Sequence, residues 1–159
     1  MTIKTIAAST AAALLLGAGA VQAVYADESL PVERFDEVLQ HAEQYGFIML
    51  DEIEIDDGGR VEIEGWLEDQ WRAEVTLSLE DGQTLREDRR RLERDAWGMS
   101  FDEARKALAA ASDEGLVELE SLDVDASGRI EIEGRDADGR EIEVITRQGE
   151  EGVERVEND

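Results

Sequence analysis

The sequence predicts an α+β fold: a tandem repeat of one helix packed on a three- to four-stranded antiparallel β-meander. Three observations carry this. The stretch Ile53–Gly65 (IEIDDGGRVEIEG) returns 69 residues later as Leu122–Gly134 (LDVDASGRIEIEG), with seven identical positions. Each copy alternates apolar and acidic residues about a glycine-containing turn, as a hairpin with one buried face does. Each is preceded by an amphipathic segment that a glycine closes.

Residues 1–26 stand apart. Lys4 is followed by an apolar, Ala- and Gly-rich run, then by small residues at cleavage-compatible spacing, which predicts a signal peptide cut after Ala23 or Ala26. The exported chain would be periplasmic or secreted, with no stable membrane insertion once the leader is gone. From Pro31, Phe35, Val38, Leu39 and Ala42 recur at i, i+3, i+4 and i+7, one face of a helix that Gly46 stops. His41 lies off that stripe and is expected to be exposed. Ile48–Asp56 and Val61–Glu64 form the first hairpin, and Trp71 to Leu79 the third strand. A short fourth is expected around Thr84–Leu85. Ser100 and Glu103 make a capping box for a second helix with Phe101, Ala104, Leu108 and Ala111 on its apolar side. Val117–Asp125, Arg129–Arg135 and Arg140–Thr146 then repeat the three strands. Gly152–Val156 is a candidate fourth, with the last three residues expected to fray. The predicted organisation is a leader (1–26), a first unit (31–86), an Arg-rich linker helix (87–99) and a second unit (100–157). Each unit is small for independent stability, so the two are expected to pack together or to share one sheet.

The chain has 159 residues, with 41 acids against 16 bases and a net charge of −25. Losing Lys4 with the leader makes it −26. Such a surface argues against nucleic acid and anionic membranes as partners, both of which need basic patches. The acidity reads either as adaptation to salt or as a surface that recruits cations or a basic protein. Cysteine is absent, which removes disulfides and thiolate chemistry.

Sites of reaction are not indicated. There is one histidine, no nucleophile elbow, no P-loop and no dinucleotide fingerprint, so no catalytic residue, cofactor or metal ligand is assigned. Asp123-x-Asp125-x-Ser127-Gly128 begins like a calcium loop, but Gly134 stands where the bidentate Glu is required, and the alternation after Gly128 reads as strand. Weak divalent-cation association with the acidic turns remains an alternative. The candidate partner-binding surface is the outward side of the hairpins: Glu52, Glu54, Glu62, Glu64 and Trp66 in the first, Glu131, Glu133 and Arg135 in the second. Parity places Trp66 outward beside the carboxylates, where it would either anchor an interface as an exposed Trp or cap the hairpin by packing on Leu67 or on the other unit.

A helix, a glycine, a hairpin of the form IxIDxxGRxEIEG and a D-x-D-G-R-E turn together resemble the PepSY family of small domains named for peptidase propeptides. The resemblance covers Phe35–Arg86 and Phe101–Val156. The second copy carries Asp136-Ala137-Asp138-Gly139-Arg140-Glu141 at the turn, whereas the first departs with Trp66-Leu67-Glu68-Asp69-Gln70-Trp71. The resemblance implies a non-enzymatic, extracytoplasmic binding domain that restrains a peptidase or serves assembly in the envelope. It carries no site residues with it.

Overall fold

The computed structural model describes residues 28–158, so the predicted leader lies outside the described residues. A two-residue strand β1 (Leu30–Pro31) and a 3-10 turn lead into α1 (Phe35–Tyr45). Four strands follow: β2 (Met49–Asp56), β3 (Arg60–Trp66), β4 (Trp71–Ser78) and β5 (Thr84–Arg91). Then come α2 (Phe101–Asp113), β6 (Leu116–Val124), β7 (Arg129–Asp136), β8 (Glu141–Arg147) and β9 (Arg155–Asn158). The fold is α+β, with two helices on an antiparallel sheet.

All nine strands belong to that sheet, in the order β5-β4-β3-β2-β6-β7-β8-β9, with β1 beside β6. The two meanders meet where β2 pairs with β6, and Ile53 faces Leu122 at the centre of that pairing. Those residues open the two copies of the repeated 13-mer. On either side Glu52 faces Asp123 and Glu54 faces Ser121. Beyond this short contact each central strand is covered by the segment that precedes a helix. Leu30 of β1 pairs with Leu119 of β6, and Met99 pairs with Leu50 of β2.

One face of the sheet is apolar. Ile53, Ile55, Val61, Ile63, Val75 and Leu77 from the first meander join Leu122, Val124, Ile130, Ile132, Ile142 and Val144 from the second in a single buried cluster. The helices lay their stripes on it: Phe35, Val38, Leu39 and Ala42 from α1, and Ala104, Ala107, Leu108 and Ala111 from α2. Gly46, in the left-handed conformation, ends α1, and Ser100 with Glu103 forms the reciprocal capping box of α2.

Several expectations need correction. Residues 84–91 are strand, so no linker helix spans 87–99: the arginines of β5 alternate across an edge paired with β4, and only 92–99 connect to α2. A boundary at residue 86 would cut β5 in two. β9 runs to Asn158, so Glu157 and Asn158, two of the three residues expected to fray, are paired with β8, and the third lies outside the described residues. His41 is half-buried rather than exposed, its ring packed so closely on Gly82 that a Cβ there would collide with it.

Candidate functional site

The face away from the helices carries the candidate surface, and register explains its pattern. Because side chains alternate along a strand, the acidic positions of every hairpin emerge on the same side. Pairing β2 to β6 about Ile53 and Leu122 keeps them there across the centre of the sheet. One row runs Glu74, Glu64, Glu52, Asp123, Glu131, each facing the next across neighbouring strands. A second runs Glu62, Glu54, Ser121, Glu133, Glu143, Glu157. The predicted carboxylates Glu52, Glu54, Glu62, Glu64, Glu131 and Glu133 are therefore brought together on one surface. Asp123 and Glu143 complete it.

Like charges facing one another across strands oppose folding. The carboxyl groups register this. Burial raises Glu52 above the ordinary carboxylate value, and Glu64, Glu54, Asp123 and Glu62 add to it. Burial raises Glu62 too, with Glu74, Asp56 and Glu54 behind it. Asp123 rises through burial and then Glu131, and Glu133 through partial desolvation and then Glu131, Glu143 and Asp123. Arginines offset part of the repulsion. Arg129 reaches Glu131 at 2.8 Å, and Arg155 reaches Glu143 at 3.2 Å. The carboxylate oxygens of Glu131, Glu133 and Glu143 lie within 4.8 Å of one another.

Trp66 does not belong to the exposed surface. Parity does put it on the acidic side, opposite Arg72, but it is fully buried. Two features cover it: the 92–99 connection, from which the Arg94 guanidinium stacks 5.3 Å from the indole centre, and a bulge in β2. Asp51 is the extra residue of that bulge, and it turns toward the acidic side. Arg72 donates from Nε to its Oδ2 at 2.8 Å and also pairs with Glu64. Burial still holds the Asp51 carboxyl above its ordinary value, with Arg72 as the main opposing influence. The Trp66 indole also favours the Asp51 carboxylate, although neither Trp66 Nε1 nor Asp51 Oδ1 meets a partner at hydrogen-bond geometry.

The second meander repeats the device with different residues. Glu120 is the extra residue of a bulge in β6, and Arg135 reaches it at 2.7 Å. Glycines make both bulges possible: a Cβ at Gly65 or Gly134 would overlap the carbonyl oxygen of Met49 or Glu118. The predicted calcium-like turn is closed by its own residues. Asp125 Oδ1 accepts from the Ser127 and Arg129 amides and from the Ser127 hydroxyl, which lowers its pKa.

Asp51 and Arg72 were not among the predicted site residues. Asp51 had a legible signal, since Asp51-Glu52 breaks the strand's alternation, as Glu120-Ser121 does in the second copy. Arg72 had none, because its partners come from two other strands.

Residues 7–88 match the family model described as peptidase propeptide and YPEB domain. No curated protein matches the chain. Among solved structures, a Clostridium difficile 630 protein designated a lipoprotein is similar, with a TM-score of 0.44 and 20% identity over 84% of this chain and 95% of that one. Among the described residues no helix is long and apolar enough to cross a membrane.

Proposed function

This chain belongs to the peptidase propeptide and YPEB domain family, and on that premise we propose that it is an exported, non-enzymatic module that binds another protein through the acidic face of its sheet. The partner is a peptidase or another envelope protein with a basic surface. The carrying observation is the continuity of the two carboxylate rows across the β2–β6 junction. Each hairpin alone would offer a handful of acids; joined edge to edge, they make one field that spans both meanders and can steer and orient a basic partner. Maintaining it costs stability, as the raised pKa values of Glu52, Glu62, Asp123 and Glu133 register.

The same reading takes the chain as two copies of the family domain, one on each side of the Ile53–Leu122 pair, in the periplasm or outside the cell. In its support, the 69-residue spacing of the hairpins also relates the bulge residues Asp51 and Glu120 and the covering residues Leu30 and Met99. Glu54→Lys/Glu133→Lys, at two exposed positions, tests the surface. Proteins retained from an envelope extract by the wild type should be lost from the variant while its unfolding midpoint is no lower than that of the wild type. Equal retention by both forms refutes the surface.

The convergence of Glu131, Glu133 and Glu143 favours a second reading, weak divalent-cation association, on the sheet face rather than at the turns. Calorimetric titration with calcium that shows no saturable site removes it.

A further inference from the structure

β5 pairs with β4 along one edge, and among the described residues no strand pairs with the other. All eight of its residues are exposed. An open edge of this length presents a row of unpaired backbone donors and acceptors to any extended chain. Its charge is also unlike the rest of the molecule. The chain carries −25, yet Thr84–Arg91 holds four arginines against two acids. Arg86 leans toward Glu74 at 3.7 Å, and Arg89 donates to the Tyr45 hydroxyl and to Glu87. The side chains of Arg90 and Arg91 make no hydrogen bond or ion pair among the described residues. In a protein so rich in carboxylates, two adjacent unpaired arginines on an open edge mark a place where negative charge is missing.

An apolar feature lies beside them. Arg91 faces Trp71 across the β4–β5 ladder. Trp71 is 40% exposed and opens onto a groove of about 640 Å³ on the helix side, walled by Tyr45, Phe47, Ile48, Leu67 and Arg89, with the carboxylates Glu43 and Glu68 also in its lining, so that it suits an apolar side chain and not an acidic one. Ile48, in the same groove, is 44% exposed. A strand added to β5 would direct alternate side chains toward this groove and the others toward the outer face.

We infer that the free edge of β5 is a docking site, separate from the acidic face, for an extended segment of a partner protein that alternates carboxylates with bulky apolar residues. Backbone pairing supplies the common affinity, Arg90 on the outer face meets the carboxylates, Arg91 adds positive charge at the rim of the groove beside Trp71, and the groove receives an apolar side chain. A second copy of β5 suits the edge less well. Two-fold antiparallel pairing makes one residue face its own copy, and the central candidates Glu87, Asp88 and Arg89 each bring like charges together.

Fluorescence anisotropy with a labelled, strand-length peptide of Glu alternating with Val and one central Trp tests this on the full chain. The wild type should bind it saturably. Arg90→Glu/Arg91→Glu, at exposed positions, should weaken binding by about tenfold or more with an unchanged unfolding midpoint. Trp71→Ala should weaken binding while keeping the preference for Glu over the matching Lys peptide. N-methylation of alternate peptide amides should abolish binding in one of its two phases. Absence of saturable binding overturns the assignment, as does equal binding by the Arg90→Glu/Arg91→Glu variant or by both N-methylated peptides. Sedimentation that finds a dimer lost in that variant overturns it in favour of a second copy.

Discussion

Arg72→Met isolates the pair that holds the β2 bulge closed. The Arg72 side chain is 16% exposed and that of Asp51 6%, with 2.8 Å between Nε and Oδ2. Methionine keeps the stem and removes the charge, leaving a buried carboxylate whose main counter-charge is gone. Breaking a buried pair on one side costs about 3–5 kcal/mol. Glu64, the second partner, is 22% exposed and can turn to water, so the lower end applies, about 3 kcal/mol. With a urea slope of about 2 kcal/mol per molar, the midpoint should fall by about 1.5 M at pH 7. The loss should depend on pH. Burial already raises the Asp51 carboxyl, and removing Arg72 raises it further. The folded variant then takes up a proton at a pH where the unfolded chain does not. The penalty therefore shrinks as pH falls through the raised folded value, and nothing more is gained below the unfolded value of about 4. Urea midpoints of wild type and variant should accordingly converge between neutral pH and that value. A loss under about 1 kcal/mol at pH 7, or a gap that does not change with pH, would refute the reasoning.

The acidic rows give a second pH effect. Glu52, Glu62, Asp123 and Glu133 have raised folded values, so acidification from neutral pH should stabilise the protein until their unfolded value is passed. The turn carboxylates Asp81, Asp125 and Asp136 are lowered, so their contribution is lost only at still lower pH. Midpoints should therefore peak under mildly acidic conditions, and a steady fall from pH 7 downward would contradict this. Glu52→Gln, which removes one charge from the row, should stabilise by about 0.2–1 kcal/mol at neutral pH, read by thermal melting. Gly134→Ala and Gly65→Ala should each cost about 1–3 kcal/mol through overlap with the facing carbonyl, measured by urea unfolding. Ser100→Ala should cost about 1 kcal/mol by removing the α2 cap, read the same way.

Local pattern made most of the fold legible. Alternation located the hairpins, helical spacing the two apolar stripes, and Ser100 with Glu103 the start of α2. Only the start of β5, Thr84–Leu85, was legible, and the rest escaped because none of its residues is buried: without an apolar face there is no periodicity to read, and the opposite charges of residues 86–95 satisfy helical spacing as well as strand alternation. What fixes it as strand is pairing with β4. The choice between an exposed and a packed Trp66 stayed open for a related reason. Parity assigned its side of the sheet correctly, but exposure depended on the 92–99 connection crossing back over it, a long-range event with no local mark. Of the candidate surface, the carboxylates were visible residue by residue. Their union into continuous rows rests on the β2–β6 pairing, which no single stretch encodes.

The exchange of covering segments has a further consequence. β1 closes the central strand of the second meander, and Met99 closes that of the first. Neither half is complete without a stretch of chain that leads into the other half's fold. Cleavage between residues 92 and 98 would leave the two pieces interlocked rather than released. Either half made alone would expose the edge centred on Ile53 or Leu122, the edge suited to meeting its own copy. The covalent link also frees the centre from symmetry. In a pair of identical halves every residue beside the Ile53–Leu122 centre would appear twice. Here a buried indole occupies one side and an arginine paired with Glu120 the other. A ligand lying across the centre would meet two unlike ends, and so would bind in one orientation and one per chain.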